Sequence, residues 1–327
     1  MNPIVSIVLP VYNCPQYVGA AIESMLAQTW CDYELIIIDD GSRDETPEVL
    51  RRYHDPRIRL YGQTNRGLAA TLNRGIELAQ GKYIARQDQD DVSLPKRLAM
   101  QVAHLDANPA CALVGTWAEI WRDGSRTGQL HRHPCDNSTL KFELLLNNPF
   151  VHSSMMIRRA ALDRVGVYST DAARQPPEDY ELWSRIAREY EVANIAEVLH
   201  MYREVEGSMS REGPSPFMEH LVTICAENIA WAADVARDEP QVTNIAALAH
   251  RAESRLRGTP DFAAMKRIFR SAAERIVAPA DRTRFAAEAV RRIDTLRYRQ
   301  MELRHLAGWR RRLVQLAGRA ARVMRRG

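Results

Sequence analysis

Short apolar runs alternate with segments of helical periodicity along about the first ninety residues of the chain. The apolar runs predict strands over 4–9, 34–39, 58–61 and 82–86, and the segments between them predict helices over 15–28, 47–53 and 68–79. Runs without polar alternation are typical of strands buried on both faces of a parallel sheet, and we expect the first strand to stop at Pro10. The pattern therefore predicts a doubly wound α/β sheet with right-handed crossovers.

The alternation of strands and helices becomes irregular after this region. Helices are expected over 94–106, 140–146 and 180–189, and strands over 112–116, 119–122, 127–130, 153–157 and 192–202, the last as an extended pair. Asp123-Gly124 indicates a hairpin. The Gly-, Ser- and Pro-rich segment 207–217 is typical of a linker, and the sequence after it has only helical periodicity. We expect an α/β domain over residues 1–210 and an all-α extension over 211–327.

Composition narrows the class of protein. Hydrophobic residues make up 46% of the 327 residues and charged residues 26%, which excludes disordered and collagen-like chains. Five cysteines without paired spacings favour a reducing cytoplasm. The first residues carry no basic region before the apolar run, so no secretory signal is expected, and no apolar stretch is long enough to predict a membrane-spanning helix.

Carboxylates follow two of the predicted strands. Asp39 and Asp40 come after the second strand, and Asp88, Asp90 and Asp91 after the fourth. A single aspartate at a strand end is often a helix cap or an Asx-turn, but three in one loop repel one another unless a cation neutralises them. Mg²⁺ or Mn²⁺ bound to a diphosphate fits such a loop. The sequence contains neither a GxxxxGK[ST] nor a GxGxxG motif, which argues against a P-loop nucleotide hydrolase and a dinucleotide-binding dehydrogenase.

Four ordered motifs carry a resemblance to a known family. They are SIVLPVYN at 6–13, IIIDDGSRDET at 36–46, NRGLAATLNRGIELAQGKYIARQDQDD at 65–91 and PEDYELWSR at 177–185. Over residues 4–205 the sequence resembles family 2 glycosyltransferases of the GT-A fold. The resemblance implies a doubly wound mixed sheet and an inverting enzyme that uses a nucleotide-sugar.

The resemblance also implies how the donor nucleotide is bound. The segment that contains Pro10 and Tyr12 would line the base, and Asp40 would accept a hydrogen bond from uracil. Arg66 would approach the nucleotide. Asp88, the first aspartate of a DxD-type motif, would lie near the ribose or the sugar.

The reacting groups follow from the same resemblance. Asp90 would hold Mn²⁺ or Mg²⁺ on the diphosphate, and the metal would stabilise the leaving group as a Lewis acid. Asp179 would be the catalytic base that takes the proton of the acceptor hydroxyl. The alternative for Glu178 and Asp179 is that both cap the helix that begins near Tyr180.

Further residues are secondary candidates for the site. They are Asn13, Asp39, Asp91, His152, Glu178 and Arg203. A lone histidine such as His152 is more often structural than a ligand. Val205 stands where similar enzymes often carry a histidine near the metal, so Arg203 or a basic residue of the extension would offset phosphate charge instead.

The C-terminal segment is strongly basic. Residues 291–327 contain twelve arginines against Asp294 and Glu302, a balance of +10, so residues 1–290 carry −6 of the total +4. Apolar and arginine positions separate on a helical projection of 303–327. This basic amphipathic helix would lie on an anionic membrane surface, or pack on the preceding helices, or form a homodimer seam. No motif supports binding to nucleic acid.

Together these features predict an inverting glycosyltransferase that moves a sugar from a nucleoside diphosphate sugar, UDP by expectation, to a hydroxyl of a glycan or lipid-linked acceptor in surface polysaccharide synthesis. The enzyme is expected in the cytoplasm or at the inner face of the cell membrane. Two alternatives are a nucleotidyltransferase that makes the activated sugar and a non-catalytic nucleotide-binding scaffold for the helical module.

Overall fold

A computed structural model of the protein describes residues 2–122, 124–204 and 216–302. The described chain divides into two units, one that runs to Ile224 and another that begins at Cys225. The predicted boundary between 210 and 211, the linker over 207–217 for most of its length, and the basic helix over 303–327 lie outside the described residues. The division at 210 therefore stays a prediction.

The N-terminal half of the first unit follows the predicted alternation. Its elements are β1 (Val5–Val11), α1 (Val18–Leu26), β2 (Tyr33–Asp39), α2 (Thr46–Leu50), β3 (Ile58–Gly62), α3 (Leu68–Leu78) and β4 (Tyr83–Arg86). The four strands are parallel in the order β3-β2-β1-β4. The apolar side chains of β1, β2 and β4 are buried because helices and the rest of the unit cover both faces of the sheet, whereas Leu60 of the edge strand β3 is exposed.

The sequence predicted that the first strand would stop at Pro10, but strand β1 continues to Val11, and Pro10 lies opposite Ile38 of β2. The Val8 carbonyl accepts a hydrogen bond from Gln87 on the β4 side. Because strand residues alternate in direction, the nitrogen of Pro10 faces that same side, beyond the last residue of β1 that pairs with β4. The missing N–H of proline therefore costs no ladder hydrogen bond.

The second half of the sheet is mixed. It contains β5 (Val92–Ser93), α4 (Arg97–Ala107), β6 (Cys111–Arg122), β7 (Ser125–His131), α5 (Asn137–Glu143), β8 (Met156–Arg158), α6 (Arg159–Val165), α7 (Glu178–Glu189) and β9 (Glu191–Glu204). The strand order continues from β4 as β8-β6-β9-β5, with β7 paired to β6. This arrangement agrees with the doubly wound mixed sheet expected from the sequence.

Several elements of this half differ from the prediction. The strands predicted over 112–116 and 119–122 form the single strand β6, and the extended pair over 192–202 forms the single strand β9. The register between them shifts near Trp117, so the pairing continues through an irregular stretch. Residues 152–154 form a 3₁₀ turn rather than the start of a strand, and β5 and α6 were not predicted.

The second unit is helical in its described part. Its helices are the C-terminal part of α8 (Pro216–Ala233), α9 (Pro240–Ala249), α10 (Phe262–Ile276) and α11, which runs from 282 to 302, where the described residues end. Ile245 on α9 and Phe269 on α10 are fully buried. Among the described residues, no helix is long and apolar enough to cross a membrane.

Candidate active site

The carboxyl ends of β1, β2 and β4 meet at one edge of the sheet, and hydrogen bonds join the loops that follow them. The N–H of Tyr12 donates to Gln89 Oε1 at 2.7 Å, and the N–H of Asn13 donates to Ser42 Oγ at 3.0 Å. Ligands of open α/β sheets bind outside this edge. The structure therefore brings the predicted nucleotide segment at 10–12 next to the predicted metal loop.

Asp40 is buried and organises the loop that leads into α3. Its carboxylate accepts hydrogen bonds from Gln63 Nε2 at 2.6 Å and from the N–H groups of Arg66 and Gly67, each at 2.9 Å. A carboxylate has about four lone-pair sites, so one remains for a ligand. Arg66 contributes its backbone here while its side chain is exposed, and Asp39 accepts the N–H of Ser42 at 2.9 Å.

The three aspartates after β4 have different surroundings. Asp88 forms an ion pair with Arg86. Asp91 is buried and accepts hydrogen bonds from Ser153 Oγ, from His200 Nε2 at 3.0 Å and from the Arg203 N–H at 2.8 Å. The second of these contacts follows from β5, which pairs with β9 and places Ser93 opposite His200. Asp91 therefore joins β9 to the loop, and three protein donors already bond to its buried carboxylate.

Asp90 is the carboxylate of this loop that remains available. No other described residue donates a hydrogen bond to it, and burial together with the charges of Asp88 and Asp91 raises its pKa to about 7. A cation would relieve both the burial cost and the repulsion. Among the described residues, no group of three or more His, Cys, Asp or Glu side chains could hold a metal ion.

The carboxylate of Asp90 fits a metal ion for which the protein supplies only some of the ligands. Mg²⁺ and Mn²⁺ prefer oxygen ligands and commonly bind through one or two carboxylates plus water and substrate phosphates. Asp90 offers such a carboxylate. An enclosed structural site of four protein ligands does not fit the described residues.

Glu178 and Asp179 begin α7, directly after the Pro176–Pro177 peptide bond, which is cis. Asp179 accepts hydrogen bonds from Asn148 Nδ2 at 2.7 Å and from the N–H of Tyr180 at 2.7 Å. Burial raises the pKa of Asp179 to about 6, whereas these two donors lower it. Burial, and then the charge of Asp179, raises the pKa of Glu178 to about 7. Asp179 is thus a carboxylate whose basicity matches neutral pH.

The position of Glu178 and Asp179 combines features of both interpretations of the sequence. Asp179 bonds to an N–H of the first helical turn, as a capping residue would, but the N-cap residue itself is Pro177 and makes no side-chain bond. The raised pKa is not expected of a carboxylate that only caps a helix, because the helix dipole favours the charged form.

His152 is buried in a structural environment. Its Nε2 lies 3.0 Å from the hydroxyl of Tyr168, its ring packs edge-on against Trp183, and its Nδ1 is 4.0 Å from Glu178. Burial and the charge of Arg86 lower the pKa of His152 well below its usual value, so the ring is neutral. His152 is therefore a neutral side chain that packs against residues of α7 and Tyr168.

Arg86 and Asn148 are site residues that the sequence interpretation missed. The Arg86 guanidinium is 2% exposed and contacts Asp88 and the Gln87 carbonyl. Its charge lowers the pKa of Asp88 and of Glu178, against the effect of burial. The sequence signal for Arg86 was its position as a cation at the end of β4, a strand buried on both faces. A buried cation there requires a carboxylate partner.

Comparisons with known proteins agree with this fold. Residues 6–166 match the sequence profile of Glycosyl transferase family 2. The putative glycosyltransferase EpsE of Bacillus subtilis is 34% identical over 230 residues, 68% of this chain and 81% of that protein. Chondroitin synthase of Escherichia coli is 37% identical over 127 residues, 38% of this chain and 18% of the synthase.

A solved structure has a similar fold. The crystal structure of residues 1–349 of TarS from S. aureus, in complex with UDP-GlcNAc, superposes with a TM-score of 0.59 at 19% identity and covers 92% of each chain.

Proposed function

The chain belongs to glycosyltransferase family 2 and is a glycosyltransferase, and on this premise we propose that it transfers a sugar from a nucleoside diphosphate sugar to a hydroxyl of a glycan or lipid-linked acceptor with inversion. The observation that carries the proposal is Asp179, a carboxylate with a pKa of about 6 held by Asn148 in the same unit as the carboxylates that follow β4. Family membership favours this reaction over nucleotidyl transfer and over a non-catalytic scaffold.

Asp179 acts as the general base. It accepts the proton of the acceptor hydroxyl as that oxygen bonds to the anomeric carbon and the bond from this carbon to the diphosphate oxygen breaks. With a pKa near 6 it is mostly ionised at pH 7 yet basic enough to take a proton in the transition state. A single displacement of this kind inverts the anomeric centre and leaves no sugar bound covalently to the protein.

The donor binds at the loops that follow β1 and β2. Pro10 and Tyr12 line the base, Asp40 accepts a hydrogen bond from it, and Arg66 and Asp88 approach the rest of the nucleotide. Asp40 is preorganised for this role because its contacts with the 63–67 loop fix the carboxylate before a ligand arrives. We propose UDP because TarS, a structural neighbour, is bound to UDP-GlcNAc.

Asp90 would hold a divalent metal, Mn²⁺ or Mg²⁺, on the diphosphate. Such a metal supplies Lewis-acid stabilisation of the charge that develops on the leaving group. Asp88 and Asp91 do not compete for this role, because their carboxylates are bonded to Arg86 and to Ser153, His200 and the Arg203 backbone.

The setting of the reaction is also a proposal. The similarity to chondroitin synthase over 127 residues supports a role in polysaccharide synthesis, here of a surface polysaccharide made at the cytoplasmic face of the membrane. Contact of 303–327 with an anionic surface is testable by flotation on vesicles with and without phosphatidylglycerol. Equal recovery of the full chain and of a chain ending at 302 would exclude it and leave helix packing or a homodimer.

The test of the reaction compares three proteins on a panel of nucleotide sugars with Mn²⁺, measuring nucleoside diphosphate release. We expect Asp179→Asn to lower turnover by about 10²- to 10⁴-fold. Asp163→Asn, which changes an exposed aspartate of α6, is the matched control and should behave as wild type. Turnover by Asp179→Asn at the wild-type rate would refute the assignment of the base.

A further inference from the structure

Two histidines and a tyrosine form a cluster of rings in the second half of the sheet. The rings of His131, the last residue of β7, and His133 are nearly parallel, and their centres are 5.7 Å apart. The Tyr202 ring of β9 meets His131 edge-on, with the two centres 5.4 Å apart. All three side chains are half-buried, so each is partly accessible to solvent. We call these three residues the ring cluster.

The register of the sheet places the ring cluster on the face that carries Asp91. Ala118 of β6 lies opposite His131 of β7 on one side and opposite His200 of β9 on the other. Residues opposite one another in a sheet share a face, and so do residues two apart on one strand. His131 and Tyr202 therefore lie on the same face as His200, whose Nε2 bonds to Asp91.

The other end of the ring cluster is joined to the segment that holds the proposed base. Asn194 Nδ2 of β9 donates to the carbonyl of Pro134, which follows the second histidine, at 2.8 Å and to the carbonyl of Pro149 at 3.1 Å. Pro149 follows Asn148, whose side chain bonds to Asp179. The ring cluster is thus linked both to the loop of the proposed metal ligand and to the segment of the proposed base, the region that an acceptor hydroxyl must reach.

The imidazoles of the ring cluster are neutral and have polar atoms available. Burial lowers the pKa of His131 and of His133, although the charges of Glu204 and Asp91 act in the opposite direction on His131. Within residues 2–122, 124–204 and 216–302, no residue forms a hydrogen bond or an ion pair with a ring nitrogen of either histidine. Each neutral imidazole therefore offers one N–H donor and one acceptor nitrogen to a ligand.

These features fit a saccharide better than an ion or a lipid chain. A pyranose has C–H groups on its faces, which pack on aromatic rings, and hydroxyls on its rim, which both donate and accept hydrogen bonds. Neutral imidazoles do not compensate the charge of a phosphate, and a lipid chain would leave their nitrogens without partners. In the part of the chain that the structure describes, no third His, Cys, Asp or Glu completes a metal site with the two histidines.

We propose that the ring cluster binds the sugar ring of a glycan acceptor and so directs its hydroxyl toward Asp179. The inference rests on the proposed function and narrows it, because the acceptor is then a saccharide, free or lipid-linked, that is recognised through its sugar. Loss of the ring cluster should weaken binding of the acceptor and leave the affinity for UDP unchanged.

Saturation-transfer difference NMR in the presence of UDP and Mn²⁺ measures binding of methyl pyranosides of glucose, galactose, mannose and N-acetylglucosamine to the full chain. We expect at least one glycoside to bind, and His133→Ala to weaken its affinity by about 3- to 10-fold, the effect of losing a neutral hydrogen bond. The affinity for UDP, measured by calorimetry, should stay at the wild-type value. His104→Ala, which changes a histidine of α4, is the matched control and should change neither affinity.

Two conservative variants cover the case in which His133→Ala does not fold. His133→Phe keeps a ring but removes the two nitrogens, and Tyr202→Leu keeps an apolar side chain but removes the ring. We expect each to weaken the bound glycoside by about 2- to 5-fold and to leave UDP binding unchanged. Wild-type affinity for the glycoside in both folded variants would refute the role of the ring cluster.

Failure of this inference is distinguishable from failure of the proposed function. A wild-type protein that binds UDP but none of the four glycosides would overturn the inference, and so would glycoside binding that is the same in His133→Ala as in wild type. Binding of farnesyl phosphate that depends on His133, without binding of glycosides, would assign the ring cluster to a lipid and also overturn it. A wild-type protein that binds none of UDP, GDP and TDP, with or without Mn²⁺, would contradict the proposed function itself.

Discussion

Replacing Asn148 by alanine should shift the pH dependence of sugar transfer upward by about one unit. Asn148 Nδ2 donates to Asp179 Oδ2 at 2.7 Å, and this bond lowers the pKa of a carboxyl that burial raises to about 6. Without the donor, the ionised form of Asp179 loses stabilisation while the protonated form does not. The base would then need a higher pH to become ionised.

The magnitude follows from the hydrogen bond. A hydrogen bond to a charged group contributes roughly 1.5–3 kcal/mol. Because Asp179 is half-buried, water would replace part of the stabilisation that is lost with the Asn148 donor. A net loss near 1.4 kcal/mol corresponds to about one pKa unit. At pH 6 the ionised fraction of Asp179 would fall from about one half to about one tenth, a roughly fivefold loss of kcat/KM, whereas at pH 8.5 the two proteins would be equal.

The assay is nucleoside diphosphate release from the active donor between pH 5 and pH 9. Asn147→Ala changes the exposed neighbouring asparagine and is the matched control. Because Asn148 also accepts the N–H of Phe150 at 3.2 Å, thermal unfolding of both variants should be compared. An acid limb that stays in place, or a loss of kcat/KM that is the same at every pH, would refute the argument that Asn148 acts through Asp179.

Three further predictions concern the charged residues of the site. Asp90→Asn should remove the extra thermal stabilisation that Mn²⁺ gives in the presence of UDP, and should leave the metal-independent shift in place. Glu178 has a folded-state pKa of about 7 against an ordinary 4.5. The folded state therefore favours its protonated form, and the stability that this gives is fully present below pH 4.5 and is lost as the pH rises through 7. We expect Glu178→Gln to raise the free energy of unfolding in urea by about 2 kcal/mol more at pH 8 than at pH 4. Arg86→Met should destabilise the protein by about 2–3 kcal/mol at pH 8, because Asp88 loses its counter-charge, and by less at pH 4.

The parallel half of the sheet was predictable because burial on both faces leaves a simple pattern. β2 and β4 are apolar along most of their lengths, and their predicted bounds agree with the structure to within one residue. The prediction divided β6 between residues 116 and 119 and took β9 as an extended pair, although each is a single strand in the structure. Their pairing continues past these points through shifts of register, which depend on the partner strand and not on local pattern.

The location of the site was easier to predict from the sequence than the role of each of its residues. Acidic residues at the ends of strands mark the edge where parallel strands terminate, which a sequence shows. The partners of Asp91 lie far along the chain, at Ser153, His200 and Arg203. Contacts of this kind depend on the packing of β9 against β5, and no spacing in the sequence encodes them.

The three aspartates after β4 are chemically identical in the sequence, and buried partners make them different. Arg86 pairs with Asp88, and three donors from distant segments bond to Asp91. Asp90 is then the member of the group to whose carboxylate no other described residue donates a hydrogen bond, and the charge of Arg86 lowers its pKa by less than burial and the two neighbouring aspartates raise it. We therefore expect a cation from solution to bind at Asp90 rather than at its neighbours, and on this proposal the fold, rather than the spacing of the motif, selects the metal ligand.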